Sequence, residues 1–125
     1  MNDYILVVED EPFIAMDIEM TLSDGGLGPV QISDSAADAL KQIALHPPRA
    51  AVLGLNLGSG TTSLPVAERL SSLGAPFLFL SGQASVTDAL PDALRGAPSL
   101  AKPFNDRQLS AAVARLLGAG DPAEV

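Results

Sequence analysis

The sequence predicts an α/β protein whose parallel sheet is covered by helices on both faces. Short runs of aliphatic and β-branched residues recur along the chain, and segments of helical composition or periodicity separate them. Continuous apolar runs are typical of strands that are buried on both faces, as in parallel sheets. Five repeats of strand and helix therefore predict one doubly wound domain.

The first strand is predicted at residues 4–8, and a helix follows it closely. Three acidic residues, 9–11, come directly after the strand, and Pro12 suits the first turn of a helix. Apolar residues occupy the even positions of 14–22, which alone would fit a strand, but the Ala, Met, Glu and Leu content favours a helix. The residues at 24–26, Asp-Gly-Gly, end it. We expect the even-spaced apolar side chains to belong to the core.

The second and third strands are predicted at residues 30–32 and 50–57. A helix is expected between them at 36–45, with Ser35 and Asp38 at the spacing of a capping box. The third strand is an apolar run that ends in a Gly/Ser/Thr loop, residues 58–62. It contains a glycine near its carboxyl end. Glycine weakens a strand, so its presence at this position requires an explanation.

The next elements are a helix at 65–73, a strand at 77–80 and a short strand at 99–101. A helix between the last two would occupy residues 83–98. Pro91 interrupts that segment, and a proline inside a helix costs about 3 kcal/mol. We expect a short or broken helix there.

The last helix has the clearest pattern in the chain. Its apolar residues follow helical spacing: Leu109, Ala112, Val113, Leu116 and Leu117. Asn105 and Gln108 form a predicted capping box, and Gly118 is the predicted end. The domain is therefore expected to span residues 1–118, with a flexible tail at 119–125.

Composition excludes several classes of function. The net charge of -8 argues against a nucleic-acid-binding surface, which needs basic residues. The absence of cysteine excludes a disulfide framework or a thiol nucleophile, and His46 is the only histidine, so no Ser-His triad can form. His46 is expected to be solvated at the edge of the sheet away from the site. No apolar stretch reaches transmembrane length, and no leader is recognisable, so we expect a cytoplasmic protein.

Five polar residues are predicted at the carboxyl ends of the strands, where open α/β sheets place their sites. They are Glu9, Asp10, Asn56, Ser81 and Lys102. Acidic oxygens after the first strand can hold Mg²⁺, while a hydroxyl and a lysine can each bind a phosphoryl oxygen. An oxygen nucleophile at the end of the third strand is the one missing part.

The chain resembles the receiver domain of bacterial two-component response regulators. Four stretches carry the resemblance, in order: Ile5-Leu6-Val7-Val8-Glu9-Asp10-Glu11-Pro12, Ala51-Val52-Leu53-Gly54-Leu55-Asn56-Leu57, Leu80-Ser81-Gly82 and Ala101-Lys102-Pro103-Phe104. The resemblance implies a flavodoxin-like (βα)5 fold with strand order 2-1-3-4-5.

The resemblance also implies a role for each rim residue. Glu9 and Asp10 match the acid pair, with Asp10 the expected metal ligand, and Asn56 matches the residue whose backbone carbonyl completes the metal site. Ser81 matches the switch hydroxyl. Lys102 matches the phosphate-binding lysine, which in the family precedes a cis proline bond.

Two positions depart from the family pattern and weaken the same mechanism. Gly54 stands where the family has the aspartate that accepts a phosphoryl group, and glycine offers no oxygen. Ser99 stands where the family usually has an aromatic switch residue. Mg²⁺ binding through Glu9, Asp10 and Asn56 is therefore expected to be weak, because one of three protein oxygen ligands is lost.

These features predict a stand-alone receiver-like module of a phosphorelay that is not an enzyme and acts through protein contacts. The resemblance implies a sensor histidine kinase or another response regulator as partner, docking on the first helix. It also implies a homodimer through the fourth helix, fifth strand and last helix, and neither nucleic acid nor membrane is an expected partner.

Two alternatives remain open. Gly54 is either a natural residue, including one that only forms a bulge, or an engineered replacement of the acceptor aspartate. In the second case the native protein would be phosphorylated with Mg²⁺ as cofactor. A flavodoxin-like enzyme or nucleotide binder is disfavoured, because acids rather than a Gly-rich phosphate loop follow the first strand.

Overall fold

The computed structural model describes residues 4–58, 60–81, 97–101 and 103–119, without the side chains of Ser81 and Ala119. The strands are β1 (Ile5–Val8), β2 (Val30–Ser33), β3 (Ala50–Gly54), β4 (Phe77–Ser81) and β5 (Ser99–Ala101). The helices in the described ranges are α1 (Pro12–Asp24), α2 (Ala36–Leu45), α3 (Leu64–Leu73) and α4 (Asp106–Ala119). The helix expected within 83–98 falls outside the described residues, apart from 97 and 98.

All neighbouring strands are parallel, in the order β2-β1-β3-β4-β5. The predicted flavodoxin-like sheet is therefore confirmed. Successive side chains of a strand point to opposite faces, so each apolar strand contributes to two cores. One core joins Leu6, Leu53 and Phe79 to α2 and α3, and the other joins Val7 and Val52 to α1 and α4.

Strand β3 is shorter than the predicted 50–57, because the chain leaves the sheet after Gly54. The Leu57 amide donates to the Thr61 carbonyl at 2.9 Å, and Asn56 forms an isolated antiparallel bridge with Thr62. Leu55 and Leu57 nevertheless remain buried. Their apolar character reflects burial of a loop rather than strand structure.

The predicted helix caps are confirmed at two helices. The Asp38 amide donates to Ser35 Oγ at 3.1 Å at the start of α2. At α4 the box is reciprocal: the Gln108 amide donates to Asn105 Oδ1 at 2.7 Å and the Asn105 amide donates to Gln108 Oε1 at 2.9 Å. The prediction that Gly118 ends the last helix is wrong, since α4 continues to Ala119. One glycine in a final turn costs only about 1 kcal/mol.

The expectation that the even-spaced apolar residues of α1 are core residues is correct for only part of the helix. Ile18 and Leu22 are buried, and Ile14 is half-buried. Met16 and Met20 are 54% and 61% exposed. A spacing of two cannot follow one face of a helix that turns every 3.6 residues, so the apolar positions divide between the core and the surface.

The amino ends of the strands form one edge of the sheet, the amino rim. Prolines immediately precede β2, β4 and β5, and their carbonyls accept hydrogen bonds from neighbouring strands. The Ile5 amide donates to the Pro29 carbonyl at 2.9 Å, and Phe79 donates to Pro98 at 3.0 Å. The peptide bond between Gly28 and Pro29 is cis. This rim is therefore closed by backbone hydrogen bonds.

The amino rim also contains the single histidine. His46 follows α2 and is exposed, as expected, and its backbone carbonyl accepts a hydrogen bond from the buried Tyr4 hydroxyl. Among the helices in the described residues, none has the length and apolar character needed to cross a bilayer.

Candidate functional site

The opposite edge, the carboxyl rim, brings the two acids after β1 against the end of β3. Glu9 directly follows β1, and its amide donates to the Ser33 carbonyl at 3.0 Å. Its side chain is only 2% exposed. The Glu11 amide donates to Glu9 Oε2 at 3.2 Å. The Glu9 carboxylate is therefore held inside the rim and does not extend into solvent.

The buried Glu9 carboxylate lies directly beside Gly54. Val8 is paired with Leu53 across the parallel ladder, so the next residues of the two strands are neighbours. A Cβ atom placed on Gly54 would be 2.9 Å from Glu9 Oε1 and 3.2 Å from the Val8 carbonyl oxygen. Both distances are shorter than an ordinary carbon–oxygen contact. A side chain at residue 54 would therefore require the flexible Glu9 carboxylate to shift.

The second acid contacts a second glycine. Gly58 has φ of 78°, a left-handed conformation that other residues rarely adopt. A Cβ atom there would be 2.9 Å from Asp10 Oδ2. The loop is fixed by the Thr61 amide and hydroxyl, which both donate to the Gly58 carbonyl. The loop after β3 therefore lies against the half-buried Asp10 carboxylate.

The other predicted site residues do not all lie at the carboxyl rim. Asn56 is exposed in the loop after β3. Ser81 is the last residue of β4, at the carboxyl rim. Ser99 is exposed at the first position of β5, so it lies at the amino end of that strand. Lys102 and its bond to Pro103 fall outside the described residues.

The residues present fit a divalent cation only in part. Mg²⁺ is usually held by one or two carboxylates together with several waters. Asp10 is half-buried and lies at the edge of the rim, whereas Glu9 is buried and its Oε2 accepts a hydrogen bond from the Glu11 amide. Within the described ranges, no three acidic or histidine side chains come close enough together to form a metal-binding group. Weak Mg²⁺ binding stays a prediction.

A second polar cluster lies at the β2 end of the same rim. The Gln42 amide nitrogen donates to Ser33 Oγ, and to Asp38 Oδ2 at 3.1 Å. The Ser33 hydroxyl, Gln42 and the nearby charge of Lys41 hold the pKa of the Asp38 carboxyl below its ordinary value. This cluster fixes the start of α2 to the end of β2.

Sequence reasoning identified the acids and Gly54 but missed their mutual contact. The sequence predicted Glu9 and Asp10 as a metal-binding pair and did not show that Glu9 is buried. The available signal was the register. If β1 and β3 are neighbours and end together, the residue after Val8 must face the residue after Leu53.

Helix α1 carries an exposed apolar stripe, consisting of Phe13, Met16 and Met20. These side chains are 87%, 54% and 61% exposed, and their spacing places them along one side of the helix. Phe13 also lines a cavity of about 370 Å³ together with Asp17 and Phe104. Scattered apolar residues are ordinary on a surface, but a continuous stripe is typical of an interaction site.

A second groove runs between β5 and α4. Its volume is about 450 Å³, and Leu100, Ala112 and Leu116 contribute its apolar lining. Gln108 and Arg115 of α4 form its polar side. The groove lies on the strand and the helix that the resemblance assigns to a homodimer.

Comparison with known proteins gives matches among solved structures. The solution structure of SdrG from Sphingomonas melonis Fr1 is 39% identical, with a TM-score of 0.76; the match covers 91% of this chain and 95% of that one. The crystal structure of the receiver domain of NtrX from Brucella abortus is 28% identical, with a TM-score of 0.79 and coverage of 90% and 97%.

A third structure is that of a putative response regulator from Chloroflexus aurantiacus. It is 26% identical, has a TM-score of 0.79, and matches over 94% of this chain and 99% of that one. No protein-family model matches the chain, and no curated protein is similar to it in sequence.

Proposed function

The chain belongs to the receiver domains of response regulators, and on that basis we propose that it is a cytoplasmic regulatory module that acts through protein contacts without phosphorylation at position 54. Its function is to bind a partner of a two-component system. It is not an enzyme in this proposal, because the residue that would take up the phosphoryl group lacks a side chain.

Gly54 is the observation that carries this proposal. An acyl phosphate needs a carboxylate oxygen at the acceptor position, and a glycine supplies none. The nearest carboxylate, Glu9, lies beside Gly54 but is 2% exposed. A buried carboxylate is a poor nucleophile for a donor that must approach from solvent, so Glu9 does not replace the missing acceptor.

Ser99 supports the same conclusion from a second position. In the family, an aromatic ring at this position moves when the switch hydroxyl binds the phosphoryl group. Ser99 is exposed and its side chain is too small to report such a movement by burial. We therefore propose that weakly bound Mg²⁺, held mainly by Asp10, leaves the partner-binding surfaces unchanged.

The exposed stripe of α1 is the proposed docking surface for a sensor histidine kinase or another response regulator. Phe13, Met16 and Met20 give it apolar area that the fold itself leaves outside the core. Apolar anchors of this kind contribute most of the binding energy of an interface. The groove between β5 and α4 is the proposed site of homodimerisation.

The central test measures phosphorylation directly. The protein is incubated with acetyl phosphate and Mg²⁺, and its intact mass is recorded. We expect no phosphoryl adduct on the unchanged protein. A stable adduct that resists acid and is cleaved by base would show an acyl phosphate and would contradict the proposal.

The same measurement on Gly54→Asp addresses the engineered-glycine alternative. There the new carboxylate would attack phosphorus, and the bond from phosphorus to the acetyl oxygen would break as acetate leaves. Rapid labelling of this variant would favour a native protein with aspartate at position 54. Absent or slow labelling would show that other parts of the site have changed as well.

Partner docking is tested by substitution within the stripe. We expect Met16→Glu to weaken capture of the histidine kinases of the same organism, because it places a charge within the apolar surface. Leu45→Glu is the matched control, since Leu45 is 75% exposed but lies at the end of α2, away from the stripe. Equal loss with both variants would argue against α1 as the docking surface.

A further inference from the structure

We propose that Met16 and Met20 are a reversible oxidation site, at which hydrogen peroxide or another hydroperoxide converts the exposed stripe of α1 from an apolar surface to a polar one. This inference rests on the proposed function, because the stripe is the surface on which a partner is proposed to dock. It adds a regulatory input that acts on the partner-binding surface itself and needs no phosphoryl group.

The sulfur of this chain is confined to methionines. The sequence has no cysteine and three methionines, at positions 1, 16 and 20. Met16 and Met20 are exposed, and neither belongs to the two apolar cores. An oxidant in solution therefore reaches both thioethers in the folded protein, and no thiol of the chain competes for it.

The position of the two methionines outside the core separates a switch from damage. Ile18 and Leu22, on the other side of α1, are fully buried and hold the helix against the sheet. A sulfoxide formed inside a core disrupts packing, whereas an oxygen added at the surface stays in contact with water. Oxidation of Met16 and Met20 should therefore leave the fold intact and change only the surface.

Oxidation would change most of the stripe at once. Met20 follows Met16 by four residues, and Phe13 precedes Met16 by three, so the three side chains lie along one side of the helix. Two of the three apolar anchors are thus thioethers. A sulfoxide carries a polar oxygen, and an apolar partner would have to bury it without a hydrogen bond. We therefore expect partner binding to weaken by about tenfold or more.

The chemical step is a transfer of one oxygen atom. The methionine sulfur attacks an oxygen of the peroxide, so that an S–O bond forms while the O–O bond breaks. The leaving hydroxide takes the proton of the transferred oxygen and becomes water. Sulfur loses two electrons and the peroxide gains them. Methionine sulfoxide reductases, with one enzyme for each epimer of the sulfoxide, reverse the change.

The test oxidises the folded protein with hydrogen peroxide. Peptide mass mapping locates the added oxygen, urea unfolding measures stability, and hydrophobic interaction chromatography measures the apolar surface. Binding to a purified histidine kinase of the same organism is measured before and after treatment. We expect oxygen on both Met16 and Met20, an unchanged urea midpoint, earlier elution, and kinase binding about tenfold weaker. Treatment with the two reductases should restore elution and binding.

Two variants provide matched controls. Met16→Leu/Met20→Leu keeps the stripe apolar at nearly the same volume, so it should bind the kinase as the unchanged protein does and should not respond to peroxide. Adding Leu45→Met to this variant places an exposed methionine at the end of α2, away from the stripe. Its oxidation should leave kinase binding unchanged. Equal loss of binding in the Leu45→Met variant would overturn the inference.

Other outcomes also decide against the inference. It is wrong if Met16 and Met20 react only after the protein unfolds, or if their oxidation lowers the urea midpoint. If the untreated protein binds the kinase and oxidation of both methionines leaves binding unchanged, the inference fails alone. If the untreated protein binds no kinase, the proposed docking function fails first and the inference fails with it.

Discussion

The two rims of the sheet differ in the residues and contacts that form them, although they lie at opposite ends of the same strands. The amino rim includes prolines whose carbonyls accept backbone hydrogen bonds, such as Pro29 from Ile5 and Pro98 from Phe79. The carboxyl rim places carboxylates against glycines, Glu9 against Gly54 and Asp10 against Gly58. The carboxyl rim therefore collects acidic groups, whereas the amino rim is closed by backbone hydrogen bonds.

This difference shows where to look for function in a fold of this kind. Proline at the start of a strand presets the backbone and removes a donor that would otherwise be unpaired at the edge. A buried carboxylate has the opposite effect, since it costs free energy unless protein groups compensate it. The carboxyl rim is therefore the edge whose buried charge needs compensation by protein groups, as the Glu11 amide provides for Glu9.

The largest loss of stability is expected from a substitution in the core that lies between the two rims, and the losses at the rims are compared with it. Phe79→Ala should lower the free energy of unfolding by about 3–5 kcal/mol, because it removes a large side chain from a closed core. Phe79 is fully buried and packs edge-to-face on Phe77 with ring centroids 5.6 Å apart. Urea unfolding measures this loss of free energy. Phe79→Leu removes fewer atoms and should lower the free energy of unfolding by less.

The next effect distinguishes two helix starts on the carboxyl rim. Asn105→Ala should cost about 1 kcal/mol, because it removes the reciprocal cap of α4. Ser63→Ala should cost almost nothing, since Ser63 precedes α3 without a side-chain cap and its buried Oγ has no hydrogen-bond partner. Equal losses in thermal unfolding would show that Ser63 caps α3 after all.

A similar loss, about 1 kcal/mol or less, is expected at the amino rim from Tyr4→Phe, which removes the hydrogen bond from the Tyr4 hydroxyl to the His46 carbonyl. Burial raises the pKa of Tyr4 above 10.0. The stability from this shift is complete below pH 10.0 and is lost as the pH rises through the folded-state pKa. The variant should therefore lose less stability in base than the unchanged protein.

The smallest effect is expected at the carboxyl rim in acid. Asp38 is exposed, so Asp38→Asn should cost no more than about 0.5 kcal/mol at neutral pH. The pKa of Asp38 is lowered from 3.8, chiefly by the Ser33 hydroxyl, so its contribution is present above that pH and is lost as the pH falls through the folded-state value. Acid unfolding of the two proteins should converge below this range.

Local signals in the sequence predicted most of the elements that the structure describes, whereas the strand order was implied by the resemblance. Apolar runs marked the strands, and the Asn105–Gln108 box marked the start of α4, as the structure confirms. The end of β3 was predicted incorrectly, since Leu55 and Leu57 are buried in a loop as fully as strand residues would be. Hydrophobicity reports burial and does not distinguish a strand from a buried turn.

The candidate site was predictable in its membership but not in its contacts. Order along the chain places Glu9, Asp10 and Ser81 at strand ends, because parallel strands end at a common edge. Burial of Glu9 beside Gly54 depends on a cross-strand distance of a few ångströms, which no local pattern encodes. The surface position of Met16 and Met20 depends similarly on the rotation of α1 about its own axis.

The absence of a side chain at Gly54 has a consequence for the charge of the carboxyl rim. Glu9 and Asp10 place two acidic groups there, and an aspartate at residue 54 would add a third beside Glu9. Like charges in one site disfavour ionisation of each other. A glycine therefore leaves this edge with less electrostatic repulsion than an acceptor aspartate would create.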